Sequence, residues 1–149
     1  MSAEKTLNSL QRDDLRVVAG MIIPASVKYG VPGADDATIQ ADILATLGRD
    51  AELVRDALDH LARLAGMPLA NLDETSRQAV AGQFRASGGA AAATLTRVVL
   101  QCYYRDDRVL RSLGLELRPP FPQGYALEQG DWSLLDPVRA RPSMWRRTS

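Results

Sequence analysis

Leu15, Val18, Ala19, Ile22 and Ile23 recur at the spacing of one helix face, and Asn8 with Gln11 just ahead of them has the form of a capping box. This predicts a first helix that stops at Pro24. The segment YGVPGADD, residues 29 to 36, holds two glycines and a proline and reads as a loop that delivers Asp35 or Asp36 as the next N-cap. From Ala37 to Leu47 the positions Ile39, Ile43, Leu44 and Leu47 fall within one arc at about 100° per residue, with Gly48 as the C-cap. A third helix is expected from Asp50, its stripe Leu53, Val54, Ala57, Leu58, Leu61 and Leu64 facing inward and Arg55, Asp56, Asp59 and Arg63 facing water, until Gly66 and Pro68 end it.

Asn71 or Asp73 caps a predicted fourth helix that runs through Val80 and Phe84 and breaks at Ser87, Gly88 and Gly89. Residues 90 to 104, AAAATLTRVVLQCYY, carry one charge in fifteen, which predicts a central helix buried on most sides. Asp106 or Asp107 caps a short sixth helix closed by Gly114. No stretch alternates as a strand and no fixed period repeats. The expected fold is all-α: a compact bundle of five to six helices over residues 1 to 116.

From residue 117 the pattern changes. Five of the eight prolines and both tryptophans lie between 117 and 147. Proline lacks an amide donor and clashes with the preceding turn, so PPFP cannot be helix interior, and residues 118 to 125 are expected extended or polyproline-like. Disordered tails are poor in aromatic and apolar groups. This segment instead holds Phe121, Tyr125, Trp132, Leu134, Leu135, Met144 and Trp145. Residues 117–149 therefore read as an extended segment that lies on something, either its own helices or another protein, and not as an independent domain.

Length and charge narrow the function. A chain of 149 residues has the size of one domain and buries about 70% of its unfolded surface. Eighteen basic and eighteen acidic side chains cancel, so no global field draws the chain to nucleic acid or to an anionic membrane. The single cysteine, Cys102, lies in the apolar run VVLQCYY and reads as a small buried hydrophobe. The opening MSAEKTLNSLQRDD is polar and has no twin arginine, and the apolar run after it is too short to span a bilayer. As written it predicts a cytoplasmic chain, with the periplasm as the alternative if a signal has been removed.

Catalytic chemistry is thin. His60 with Asp56 one turn earlier has the form of an acid-base pair, but there is no second histidine and a pair at this spacing is ordinarily surface electrostatics. Asp35, Asp36 and Asp42 lack the oxygen-rich spacing of a calcium loop. GVPG and SGG follow no strand, so neither is the phosphate-cradling turn of a dinucleotide fold. No catalytic, metal-ligating or cofactor-binding residue is expected in this chain. Arg105, Arg108 and Arg111 share one side of the predicted sixth helix; they are either a solvated basic face or guanidiniums that clamp carboxylates of the tail or of a partner. The tip RARPSMWRR is a loose basic end or an anchoring strap, and Trp145 among its arginines has the composition of an interface hot spot.

QRDDLRVVAGMIIP, YYRDDRVLRSLG and PPFPQGY together resemble the gluconate 2-dehydrogenase subunit 3 family, over roughly residues 7 to 126. Members of that family are small helical subunits that accompany a flavin-dependent dehydrogenase of the glucose-methanol-choline type. The resemblance implies a non-catalytic subunit that binds and stabilises a large FAD-dependent sugar or alcohol dehydrogenase subunit, in a complex that a cytochrome c subunit can join. FAD is then expected in the partner and no cofactor in this chain. Many family members carry a twin-arginine signal, from which this opening departs. In this reading Phe121, Tyr125, Trp132 and Trp145 anchor the tail, Tyr103 and Tyr104 help to seat it, and Arg105, Arg108 and Arg111 orient it, across an interface that can exceed about 2,000 Å². Two alternatives remain: an independent helical enzyme built on His60 and Asp56, and a monomer whose tail completes its own core.

Overall fold

The computed structural model describes residues 7–119, 121–126 and 128–142. Its described residues are all-α, with one isolated bridge between Ser26 and Val31 in place of any strand. The chain divides into two units, Met1–Leu117 and Arg118–Ser149.

Among its described residues the first unit holds six α-helices. Helix α1, Ser9–Ile22, begins at a complete capping box: the Gln11 amide donates to Asn8 Oδ1 at 2.9 Å and the Asn8 amide to Gln11 Oε1 at 3.0 Å. Helix α2, Ala37–Thr46, is capped by Asp36, which accepts from the Thr38 amide. A 3-10 turn, Gly48–Asp50, leads into α3, Ala51–Ala65, which ends at Gly66 with φ 69°, in the left-handed region that suits glycine. Helix α4, Glu74–Ser87, is capped by Asp73 through the Ser76 amide at 2.7 Å. Helix α5, Gly89–Tyr103, follows after Gly88 alone, and α6, Asp107–Ser112, is capped by Asp106.

The core sits where α3 packs against α1, α4 and α5, with α2 closing on α5. Leu15, Ile43, Val54, Leu58, Leu95 and Val99 are its most buried side chains. Three buried polar residues tie the elements together. Asp14 of α1 accepts from the Leu69 amide at 2.8 Å, Gln11 donates to Asp59 of α3 at 2.8 Å, and Gln40 donates to the Ala34 carbonyl at 2.8 Å. Arg77 completes the first of these: it donates to the Leu69 and Ala70 carbonyls, so the 3-10 turn Leu69–Asn71 is held on both its donor and its acceptor side.

Several expectations need correction. Asp50 makes no capping bond to α3; it pairs with Arg97 of α5 at 2.9 Å, and the 3-10 turn supplies the start of the helix instead. Leu53 is 38% exposed, on the far edge of the stripe. Helix α5 is central but not buried on most sides, since Ala93, Thr96, Arg97 and Gln101 face solvent. The run of alanines misleads there: alanine favours helix without needing burial, so a low charge count does not imply an inward face. Arg105 precedes α6 and is not part of it.

The turn between α4 and α5 depends on Gly88. A Cβ at that position would stand 2.7 Å from the Phe84 carbonyl oxygen and 2.5 Å from the Ala92 methyl. Gly88→Ala is expected to cost about 1–3 kcal/mol through this crowding, read as a lowered midpoint in thermal unfolding. A variant as stable as the parent would show that the turn has room to spare.

In the second unit a 3-10 turn, Trp132–Leu135, runs into α7, Asp136–Arg139. The expectation of a wholly extended tail is thus corrected over residues 132–139. Asp131 accepts from the Ser133 amide at 3.0 Å, and Pro137 lies in the first turn of α7, where its missing N–H costs nothing. Before this, Arg118 and Tyr125 close a loop on themselves: Tyr125 Oη donates to the Arg118 carbonyl at 2.6 Å, Arg118 donates to the Gly124 carbonyl at 2.6 Å, and its guanidinium lies 5.1 Å from the Tyr125 ring centre.

Candidate functional site

The arginines singled out in the sequence are engaged within the first unit. Arg105 donates twice to Asp42 of α2, at 2.9 and 2.6 Å, and also to Thr46 Oγ1 and Cys102 Sγ. Arg108 reaches Asp36 at 2.8 Å and Asp106 at 2.9 Å. Arg111 lies 3.8 Å from Asp107, one turn back on an exposed face. The carboxylates that Arg105 and Arg108 clamp therefore belong to α2, its cap and the cap of α6. The same contacts bear on the candidate cation set, because Asp36 and Asp42 face guanidiniums. Among the described residues no group of three His, Cys, Asp or Glu is placed to hold a metal.

This network has an electrostatic signature. Hydrogen bonding to Arg108 holds Asp36 down at about 2 and lowers Asp106 as well, and Arg108 itself is raised. A carboxylate whose folded pKa is depressed adds stability above its unfolded value, near 4, and loses it as the pH falls towards 2. Both partners reach solvent, so screening reduces the effect to about 1 kcal/mol. Arg108→Gln should lose about that much at pH 7. Urea titrations should show the gap to the parent closing between pH 4 and 2; a gap that stays constant with pH would remove the ion pair from the explanation.

Tyr103 is 4% exposed and belongs to the core, where burial raises its hydroxyl pKa; it takes no part in a surface. Tyr104, with its ring edge-on to Tyr103, is 52% exposed. Its neighbour in sequence points inward because successive helix residues lie about 100° apart. In the second unit Phe121 is 85%, Trp132 62% and Leu134 74% exposed, with Tyr125, Leu135 and Val138 also exposed. No described residue from Arg118 to Pro142 is buried. Trp145 and Met144 lie outside the described residues. Leu113, Leu115 and Leu117, which carry the chain from α6 towards this segment, are exposed too, and the last two follow the predicted sixth helix, with no helix pattern to single them out.

His60 finds a partner that its own helix does not supply: Ser87 Oγ lies 3.3 Å from its Nε2, while the Phe84 ring sits edge-on at 5.6 Å. The serine hydroxyl also donates to the Gln83 carbonyl at 2.9 Å, so it bridges the α4 backbone and the imidazole. No hydrogen bond joins Asp56 to His60 among the described contacts.

A feature absent from the sequence reading is an open apolar groove of about 790 Å³ between α1, α4 and α5. Val18, Val80, Phe84 and Leu95 form its buried floor, and Met21, Ile22, Ala81, Ala92 and Leu100 its partly exposed walls. Arg77, Arg85 and Arg97 stand along it, and among the described residues no acidic one lines it. Only the third dimension brings these helices together, although the alternation of buried Val80 and Phe84 with exposed Arg85 on α4 hints at one wall.

No helix among the described residues is long and apolar enough to cross a membrane. Compared with known proteins, the chain matches no family model, no curated protein and no solved structure.

Proposed function

We propose that this chain is a non-catalytic accessory subunit that binds and stabilises the FAD-dependent catalytic subunit of a sugar or alcohol dehydrogenase complex. The observation that carries the binding role is the exposed apolar run of Leu113, Leu115, Leu117, Phe121, Trp132, Leu134 and Leu135. Large apolar side chains exposed at such density along one stretch of chain mark a binding segment, and aromatic side chains of this kind dominate interface energies. The identity of the partner rests on the resemblance of QRDDLRVVAGMIIP, YYRDDRVLRSLG and PPFPQGY to the subunit 3 family.

In this reading Phe121, Tyr125, Trp132 and Trp145 are the anchors and Tyr104 contributes from the first unit. Arg105 and Arg108 act by fixing α6 to α2, and Arg111 is the one of the three left with only an exposed pair at 3.8 Å. Flavin and base belong to the partner, and nothing of the chemistry is assigned to His60. Co-expression with a candidate flavoprotein tests the proposal directly. A yellow complex that elutes as one species is the expected result, and a flavoprotein that is stable, soluble and unbound in the presence of this chain would refute it.

A further inference from the structure

We infer that the groove between α1, α4 and α5 seats one amphipathic helix with acidic flanks, presented by the partner subunit. The identity of that partner rests on the accessory-subunit reading above; the chemistry of the groove does not.

The shape comes first. Helix α5 borders the groove from Gly89 to Gln101, which at 1.5 Å per residue is about 18 Å, or three helical turns. The floor is buried and apolar, whereas Ala93, Thr96, Arg97 and Gln101 leave the α5 side open to water. Ala81, Ala92 and Ala93 are small, so a guest backbone can come close while its leucine-sized side chains reach the floor. An apolar stripe at i, i+3, i+4 and i+7 has the dimensions to fill such a trough.

The charge decides among occupants. Arg77 stands in the first turn of α4, Arg85 in its last, about 12 Å further along the axis, and Arg97 midway along α5. Arg77 is held by the Leu69 and Ala70 carbonyls, and Arg97 by Asp50 and Gln101, so both are fixed in direction before any guest arrives. Arg85 has no ion pair among the described residues. A fatty acid offers a single carboxylate and can answer one of these positions. A helix with glutamates or aspartates along its edges pairs with Arg85 and shares Arg77 and Arg97 with the partners they already hold. A second copy of this chain is poorly matched, because its exposed helix faces mix signs: Arg12, Asp13 and Arg16 on α1, and Glu52, Asp56 and Arg63 on α3.

The test uses the full chain and a fluorescent peptide of about 14 residues, with leucines at the helical spacing flanked by glutamates, beside a twin in which lysines replace the glutamates. The glutamate peptide should bind at least about tenfold tighter than its twin, and Arg85→Glu or Ala93→Glu should each weaken it by about tenfold. Both positions are exposed, and unchanged circular dichroism and melting confirm that the variants fold. Equal binding of the two peptides overturns the inference. Tighter binding of dodecanoate than of the peptide, or a dimer that Ala93→Glu abolishes, overturns it in favour of an amphiphile or a second copy. The two proposals fail separately. If both variants still form the full yellow complex, the groove is not the partner's seat although the accessory role stands; if the peptides behave as expected and no flavoprotein binds, only the accessory role is lost.

Discussion

Ending the chain after Arg118 is expected to leave a folded helical body that no longer holds a flavoprotein. Among the described residues every buried one lies at or before Val109, so the deletion removes none of this core. The unfolding midpoint of the shortened chain should fall by no more than a few degrees, and its helical circular dichroism should change only by the loss of the turns at 132–139. Complex formation should suffer far more. The deletion takes away Phe121, Tyr125, Trp132 and Trp145 together, and loss of one aromatic anchor from an interface typically costs about 2 kcal/mol or more. Weakening of at least about a hundredfold is therefore expected, measured as retention of flavin absorbance with the tagged chain on a column. Full retention by the shortened chain would show that the aromatic segment is not the binding element.

The second large effect concerns the core itself. Leu58 is 1% exposed on the face of α3 that meets α1, α4 and α5, and Leu58→Ala should cost about 3 kcal/mol from lost burial and the cavity left behind. For a body of this size that is a fall in melting temperature of roughly 10–15 °C. Leu53→Ala, one and a half turns earlier on the same helix but 38% exposed, should stay within about 0.5 kcal/mol of the parent. The contrast is sharp because the sequence places both residues in one stripe. Equal losses at the two positions would mean that Leu53 is as deeply packed as Leu58.

What could be read in advance was whatever depends on neighbours along the chain. The capping box at Asn8 and Gln11, the caps at Asp36, Asp73 and Asp106, and the stop at Gly66 all follow from local bonding, and each is in place. Between paired choices such as Asp35 and Asp36 the periodicity could not decide, because both stand before the same apolar arc. Bonds between distant residues left no local trace. Arg105 finds Asp42 across 63 positions and Arg108 finds Asp36 across 72, so the sequence could offer the guanidiniums but not their partners. Asp14 looks like any polar residue of an amphipathic helix; its burial becomes sensible only once the Leu69 amide arrives from 55 residues away. The groove was hidden for the same reason, and the alanines beside it argued for burial that does not occur. In the tail, composition marked out the aromatic and apolar side chains that stand exposed, while the turns at 132–139 needed the Asp131 cap to be recognised.

Cys102 offers a practical opening. It is the chain's one cysteine, 3% exposed beneath Arg105 and Thr46, and burial raises its pKa. Since the thiolate is the species that alkylates, a maleimide dye at neutral pH should pass this sulfur by. The natural chain thus serves as a silent background for site-directed labelling, and a cysteine placed at position 93 or at position 132 would carry the only dye.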